Sequence, residues 1–373
     1  MRVTSDLGNI IILLVLAAMF FAPLLAAGTV FRGGELAEYA VYDRLQALAE
    51  FRAGTWPTWN PAFGLGLPAD LLGRNFSLVY PPNLTWFFLE PSRALGVSRF
   101  LHQVPAGLFM YFMLRGLYVG PSGSFVGGLV FGLGGFVLGR LWQGELTTLN
   151  ALLYMPLIFL SGMRALRGGW RFAGIAAVLL FLQAWDGNLP LLLMQLLILA
   201  AEAAWVAGEM KSWRPLAVFV VLLLVVLPLL APFWLPLLYQ VAQLDGMAPA
   251  VATVPGAAIT PLQWLTLAWP QLWGGAAEFD WWPTAADAAT NTGLGMTAVF
   301  LVMMGARRTQ RGLFFLALAA MSALLATGDT GWLAGWLTGR AAAAGLFTVA
   351  AAWAGVHFAL AVLAGMGWER LFW

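Results

Sequence analysis

Hydrophobic residues recur along this chain in long blocks separated by short polar breaks, the pattern of helices that cross a bilayer. A helix rising 1.5 Å per residue needs about 20 apolar residues to span a hydrocarbon core of about 30 Å. Ten segments approach or meet that requirement: 9–28, 100–118, 122–139, 146–163, 172–185, 189–208, 215–239, 291–306, 312–327 and 343–366. The fifth is short. The seventh is long and carries Pro228, Pro232 and Pro236, which remove backbone donors and kink or end a helix. Such a break is tolerated at membrane depth only where protein or a water-filled cavity receives the freed carbonyls, so the count carries a margin of one or two. The expected fold is all-α, a polytopic transmembrane helical bundle of about ten spans forming a single domain over 1–373. The first span follows Met-Arg and lacks a clear small-residue cleavage site, so it reads as a retained helix with its N-terminus inside.

Two polar segments are too long to be turns: a first extracytoplasmic loop at 29–99 and a second at 240–290. Glu35 to Phe51 has helical periodicity, with Val41, Leu45, Leu48 and Phe51 at spacings of three and four. The expectation is an amphipathic helix lying along the membrane surface, apolar stripe down. After Gly54 comes a Trp, Pro and Gly mixture, with Trp56-Pro57, Trp59-Asn60-Pro61, Gly66-Leu67-Pro68 and Pro81-Pro82, which fits a rigid irregular loop. The second segment is dense in Trp, which suits a membrane interface and also a wall for sugar rings.

Composition agrees with the pattern. Hydrophobic residues make up 61% of the 373 and charged residues 10%, which excludes a soluble enzyme, a disordered chain and a nucleic-acid partner. No Cys is present, which excludes disulfides and thiolate sites. Charge orients the bundle. With ten spans and both termini inside, the inner face receives Arg2, Arg115, Arg164, Arg167, Arg171, Lys211, Arg214, Arg307, Arg308, Arg311 and Arg370. Six of the other basic residues lie in the first loop, whose length exempts it from the positive-inside rule, leaving only Arg140 and Arg340 in short outer loops. The expected location is a bacterial inner membrane, multi-pass, with both termini cytoplasmic.

The short outer turns hold Gln143-Gly144-Glu145 and Asp186-Gly187-Asn188, and carboxylates such as Glu145 and Asp186 at span ends are candidates for binding a cation or a hydroxyl. Mid-span regions read as nearly free of charge. His102 and His357 stand alone in predicted spans, where a hydrogen-bonded helix contact is the commoner role. Gly127-Gly128, Gly132 and Gly134-Gly135 read as close helix packing. No P-loop, dinucleotide fingerprint, zinc-ligand pair or nucleophile elbow is present.

The tract Gly54-Thr55-Trp56-Pro57-Thr58-Trp59-Asn60-Pro61, then Gly66-Leu67-Pro68 and Tyr80-Pro81-Pro82-Asn83, following Gly34-Glu35 and the amphipathic helix, resembles bacterial membrane proteins of the YfhO type. Pro156-Leu157 and Leu235-Pro236-Leu237-Leu238 also look similar. That group is placed among the GT-C fold glycosyltransferases. The resemblance implies a GT-C-like bundle, a polyprenyl-phosphate sugar donor and an extracytoplasmic site. It implies Glu35 as the acid that acts on the acceptor; Asp43, on the expected amphipathic helix, is a second catalytic candidate read from the residues themselves. An optional divalent cation (Mg or Mn) would be held against the lipid phosphate. Sidedness adds Arg74, Arg140 and Arg340 as phosphate partners and Glu145, Asp186, Trp59 and Asn60 as substrate contacts. The chain departs from the family at Glu35, where Asp is usual, and at Gly144-Glu145 and Gly187-Asn188, where relatives often carry Gly-His. It also stops at Trp373, just after a span, whereas relatives commonly continue.

Two functions follow as expectations. One is transfer of a sugar from a lipid carrier to an extracytoplasmic acceptor. The other is a non-catalytic membrane subunit of this fold that packs against other subunits and lipids in a larger complex.

Overall fold

The structure, a computed structural model, describes residues 3–26, 41–57, 59–60, 67–68, 79–185, 188–232, 234–235, 261–269, 272, 293–306, 309–327 and 348–372. These residues are helical apart from turns and one antiparallel ladder of two residues a side, Trp59 opposite Pro68 and Asn60 opposite Leu67. Five helical stretches are long and apolar enough to cross a membrane: Ser5–Leu25, Pro121–Leu141, Thr147–Leu166, Leu189–Met210 and Val349–Phe372. Four shorter apolar helices, Trp170–Trp185, Arg214–Leu229, Met296–Ala306 and Gln310–Ala326, accompany them.

The helices run α1 (Val3–Phe21), α2 (Val41–Arg52), α3 (Pro91–Gly116), α4 (Pro121–Leu133) and α5 (Gly135–Gln143). They continue with α6 (Leu146–Leu152), α7 (Met155–Leu166), α8 (Trp170–Trp185), α9 (Leu189–Met210) and α10 (Arg214–Leu229). The last three are α11 (Met296–Ala306), α12 (Gln310–Ala326) and α13 (Val349–Phe372).

The bundle is built around α13. Its residues 351–367 are buried without interruption, as a helix apolar on every side must be. It packs against α4, α9, α11 and α12, and glycines set how closely. A Cβ on Gly305 of α11 would lie 1.9 Å from the Leu363 carbonyl oxygen, and one on Gly367 would lie 1.8 Å from that of Leu301. Gly107 of α3 and Gly128 of α4 meet in the same way, each Cβ falling within 2.8 Å of the other's carbonyl oxygen. The glycine-rich segment therefore brings backbones together, as small residues do in membrane bundles.

Several sequence boundaries shift. The segment expected as one helix at 122–139 is interrupted at Gly134, which divides it into α4 and α5. The 146–163 segment likewise turns at Leu153 and Tyr154 between α6 and α7. Hydropathy runs smoothly through both breaks, so periodicity alone could not reveal them. The helix expected from residue 100 begins at Pro91 and carries Arg99, His102 and Gln103 into the bundle as buried residues. Spans are thus not free of charge: Arg99 lies in α3, and Glu202 in α9 is fully buried.

The amphipathic helix also differs in its setting. It is described from Val41 onward, and part of its apolar stripe faces protein. Val41 and Leu45 pack on Trp86, Ala94 and Leu95, and Leu48 packs with Phe87. Trp86 and Phe87 belong to a 3-10 helix, Pro81–Phe87. Arg52 Nη2 donates to the Phe87 carbonyl at 3.1 Å and closes this contact.

One end of the bundle is held by ion pairs. Tyr111 donates to Asp6 at 2.5 Å and Arg115 Nε donates to the same carboxylate at 2.8 Å, joining α3 to α1. Arg311 grips the buried Glu202 with two bonds, 2.6 and 2.9 Å, joining α12 to α9. Arg167 pairs with Glu209, which also accepts from Trp205 Nε1 at 2.8 Å. Outward faces of α1 (Ile11, Ile12, Met19) and α10 (Val220, Val221, Leu224) are apolar and exposed, as lipid-facing surfaces are.

Candidate functional site: a buried polar layer beneath the first loop

At the opposite end, polar side chains from the first loop, α3, α6 and α8 meet inside the bundle. The Tyr80-Pro81-Pro82-Asn83 element explains how. Tyr80 is extended (φ −61°, ψ 128°), the conformation required before proline, and Pro81 opens the 3-10 helix, where its missing N–H is no loss. Asn83 N–H donates to the Tyr80 carbonyl at 2.8 Å. The Ser98 hydroxyl donates to Asn83 Oδ1 at 2.8 Å, fixing the loop to α3.

This anchoring puts the Tyr80 hydroxyl within 2.9 Å of His102 Nε2 and in hydrogen-bond contact with the Tyr154 hydroxyl. The rings of Tyr80 and His102 stack at 5.4 Å, and Trp185 meets Tyr80 edge-on at 6.4 Å. His102 Nδ1 lies 2.5 Å from the Ser98 carbonyl oxygen. A carbonyl only accepts, so Nδ1 carries the proton. In the neutral ring Nε2 then accepts from Tyr80, which in turn accepts from Tyr154. Two buried guanidinium groups, Arg99 and Arg44, act electrostatically on the His102 ring. Arg44 also sits over Trp86, 5.5 Å from the ring centre.

The layer extends along α6. Gln183 Nε2 donates to the Ala151 carbonyl at 3.1 Å. Asn188 caps α9 by accepting from Leu191 N–H at 2.9 Å, while its Nδ2 donates to Thr148 at 3.1 Å. Asn188 occupies a position where the resemblance leads one to expect histidine, and its role here is a helix cap.

Of the residues assigned from sequence, Arg140 and Glu145 are brought together. Gly144 takes the left-handed conformation (φ 73°) that ends α5 and turns Glu145 back onto Arg140. Arg140 is buried, with its guanidinium 5.4 Å from the Phe136 ring centre. Trp59 is half exposed on its short ladder, and Asn60 follows it there. Asp43 lies in α2, one position before Arg44. Glu35, Arg74, Asp186 and Arg340 lie outside the described residues. Among the described residues no group of three or more His, Asp or Glu is placed to hold a metal ion.

Sequence reasoning gave no site role to Tyr80, Tyr154, Arg44 or Arg99. Arg99 carried a signal, since a cation at the edge of an apolar span is costly unless it is used, and Tyr80 stood in the quoted Tyr80-Pro81-Pro82-Asn83 element. Its contact with Tyr154, 74 positions away, gave none.

Compared with known proteins, the chain matches no family model, and no curated protein matches it either.

Proposed function

We propose that this chain is a GT-C-like membrane glycosyltransferase that moves a sugar from a polyprenyl-phosphate donor to an extracytoplasmic acceptor. The supporting observation is the buried polar layer at one end of the bundle. Burying Tyr, His, Asn, Gln and two arginines at one end of the bundle costs free energy that a purely structural end could avoid with apolar residues. Guanidinium groups suit a lipid phosphate, and hydroxyl and amide groups suit sugar hydroxyls. In this reading Arg44 and Arg99 join Arg74 and Arg340 as candidates for the donor phosphate. Glu35 acts on the acceptor hydroxyl, either directly or through a divalent cation, and Asp43 supports it.

The proposed setting is a bacterial inner membrane with about ten spans and both termini cytoplasmic. The ion pairs support it: Asp6 with Arg115, and Arg167 and Arg311 with Glu209 and Glu202, join helix ends that the basic residues assign to one side.

A second reading, a non-catalytic subunit of a larger membrane complex, is favoured by Arg140 and Glu145. These two residues assigned to substrate are paired with each other.

The test is transfer of labelled sugar from a polyprenyl-phosphate donor by the full chain in liposomes. We expect activity in the wild type and a loss of about 100-fold or more in Glu35→Gln. Equal rates in the two contradict the role of Glu35, and an inactive wild type favours the subunit.

A further inference from the structure

We propose that two turns, Arg167-Gly168-Gly169-Trp170-Arg171 and Lys211-Ser212-Trp213-Arg214, together hold the phosphate headgroup of an anionic phospholipid. The site goes beyond glycosyl transfer and needs only that the apolar helices span a membrane. The turns follow the candidate spans Thr147–Leu166 and Leu189–Met210, at the end of the bundle held by ion pairs. The Arg167–Glu209 pair joins one turn to the other. Helix ends at the edge of a hydrocarbon core lie at the depth of lipid phosphates. Each turn carries a Trp that the described protein leaves bare: Trp170 is 78% exposed and Trp213 74%. Indole rings favour that same depth.

Charge there is one-sided. Segments 164–171 and 209–214 hold five basic residues and one acid, Glu209, which is already engaged by Arg167 and by Trp205 Nε1. Arg171, Lys211 and Arg214 are exposed, and none of them forms an ion pair among the described residues. The Arg171 guanidinium lies 5.9 Å from the Trp170 ring centre, so cation and indole are presented together. Guanidinium groups match phosphate oxygens, and basic clusters beside helix ends attract anionic lipid. Exposed apolar residues follow directly, Ile175 and Val178 in α8 and Leu216 and Val220 in α10, and α8 packs on α10. Cations followed by apolar surface match a headgroup followed by acyl chains, which a soluble anion lacks.

The backbone supplies a second observation. Gly168 and Lys211 each take the left-handed conformation just past a helix, with φ 104° and 47°. Glycine is the residue such a position favours. At Lys211 a side chain is kept there against its steric cost, although the closing bond, from Ser212 N–H to the Ala207 carbonyl at 3.1 Å, is made by backbone alone. Strain retained at an exposed cation points to use of that cation.

The experiment titrates the full chain in micelles of a non-ionic maltoside with phosphatidylglycerol, phosphatidylcholine or inorganic phosphate, and counts bound lipid by native mass spectrometry. Phosphatidylglycerol should bind about tenfold or more tighter than phosphatidylcholine, and high salt should narrow the gap. Arg171→Gln, Lys211→Gln and Arg214→Gln should each weaken phosphatidylglycerol about fivefold and leave phosphatidylcholine unchanged. Arg93→Gln, which removes an exposed cation outside these turns, should change neither. Lys211→Gly separates ligand from scaffold. It should weaken phosphatidylglycerol as Lys211→Gln does, yet raise the melting temperature in phosphatidylcholine because the strain is relieved, which also reports a folded protein. Equal affinity for the two lipids, undiminished phosphatidylglycerol affinity in the glutamine variants or in Lys211→Gly, or displacement of the lipid by an equal concentration of inorganic phosphate overturns the site. None of these outcomes depends on sugar transfer, so glycosyl transfer stands or falls by its own assay.

Discussion

His357 and Glu202 are polar side chains set among apolar ones, and each is tied to a partner that accounts for it. The break at Gly134 ends α4 and leaves the Phe131 carbonyl without its helical donor. His357 supplies one, with its ring stacked between Phe131 and Phe136 at 5.4 and 5.3 Å. The commoner reading of a lone span histidine, a helix contact, holds for this residue. A His357→Leu variant leaves a buried carbonyl unpaired and should lose about 1–3 kcal/mol of stability, measured by reversible unfolding in mixed micelles. Glu202 is fully buried and held by Arg311. Glu202→Ala removes both short bonds of Arg311, leaving Glu209 at 4.0 Å as a weaker partner, and should cost about 3 kcal/mol. Replacing both partners with apolar residues should cost less, and a double-mutant cycle separates the two outcomes. Arg99 and Glu202 were visible in the sequence as charges within or beside apolar runs. Their partners were not, because pairing across 109 residues, as between Glu202 and Arg311, leaves no trace in local periodicity.

Elements were legible where hydropathy and length coincide, and illegible where geometry interrupts an apolar run. The helix α9 lies where the sequence places a span, and α13 overlaps the expected 343–366 but continues to Phe372; each is helical without a break for more than 20 mostly apolar residues. The breaks at Gly134 and at Leu153-Tyr154 depend on a carbonyl finding a donor elsewhere, a tertiary fact. Val41, Leu45 and Leu48 of the α2 stripe pack on Trp86 and Phe87, partners that the spacing along α2 does not name. Close packing makes a sharp prediction at this scale. Gly367→Leu places a Cβ where only 1.8 Å separates it from the Leu301 carbonyl oxygen, so α11 and α13 must part, at a cost of about 2 kcal/mol or more. Gly174→Ala, in α8 with nothing within 4 Å of its Cβ, should instead gain about 0.5–1 kcal/mol from helix propensity. Thermal unfolding of the two variants beside the wild type checks both signs.

Among the described residues the bundle has two unlike ends. One is joined by ion pairs of Asp6, Glu202 and Glu209 with Arg115, Arg311 and Arg167, and the other gathers hydroxyl, amide, imidazole and guanidinium groups beside the Arg140–Glu145 pair. The charge count along the sequence made the division readable, but it located the candidate chemistry on single acids and arginines in outer turns. Folding brought Arg140 and Glu145 together and assembled a layer from residues that were not candidates. Orientation is testable because the chain has no native cysteine. Single cysteines at Ala53 and at Tyr118, both exposed, should behave oppositely toward a membrane-impermeant maleimide in intact cells. Ala53→Cys should be labelled and Tyr118→Cys protected; the reverse pattern inverts the bundle.

The location of the site is tested most directly by photocrosslinking a polyprenyl-phosphate donor that carries its diazirine beside the phosphate, followed by mapping of the labelled peptides. The account predicts labelling in the peptides that contain Arg44, Arg99 and Tyr154, with competition by unlabelled donor. Labelling confined to the outer faces of α1 and α10, or to the ion-paired end around Glu202 and Arg311, contradicts it.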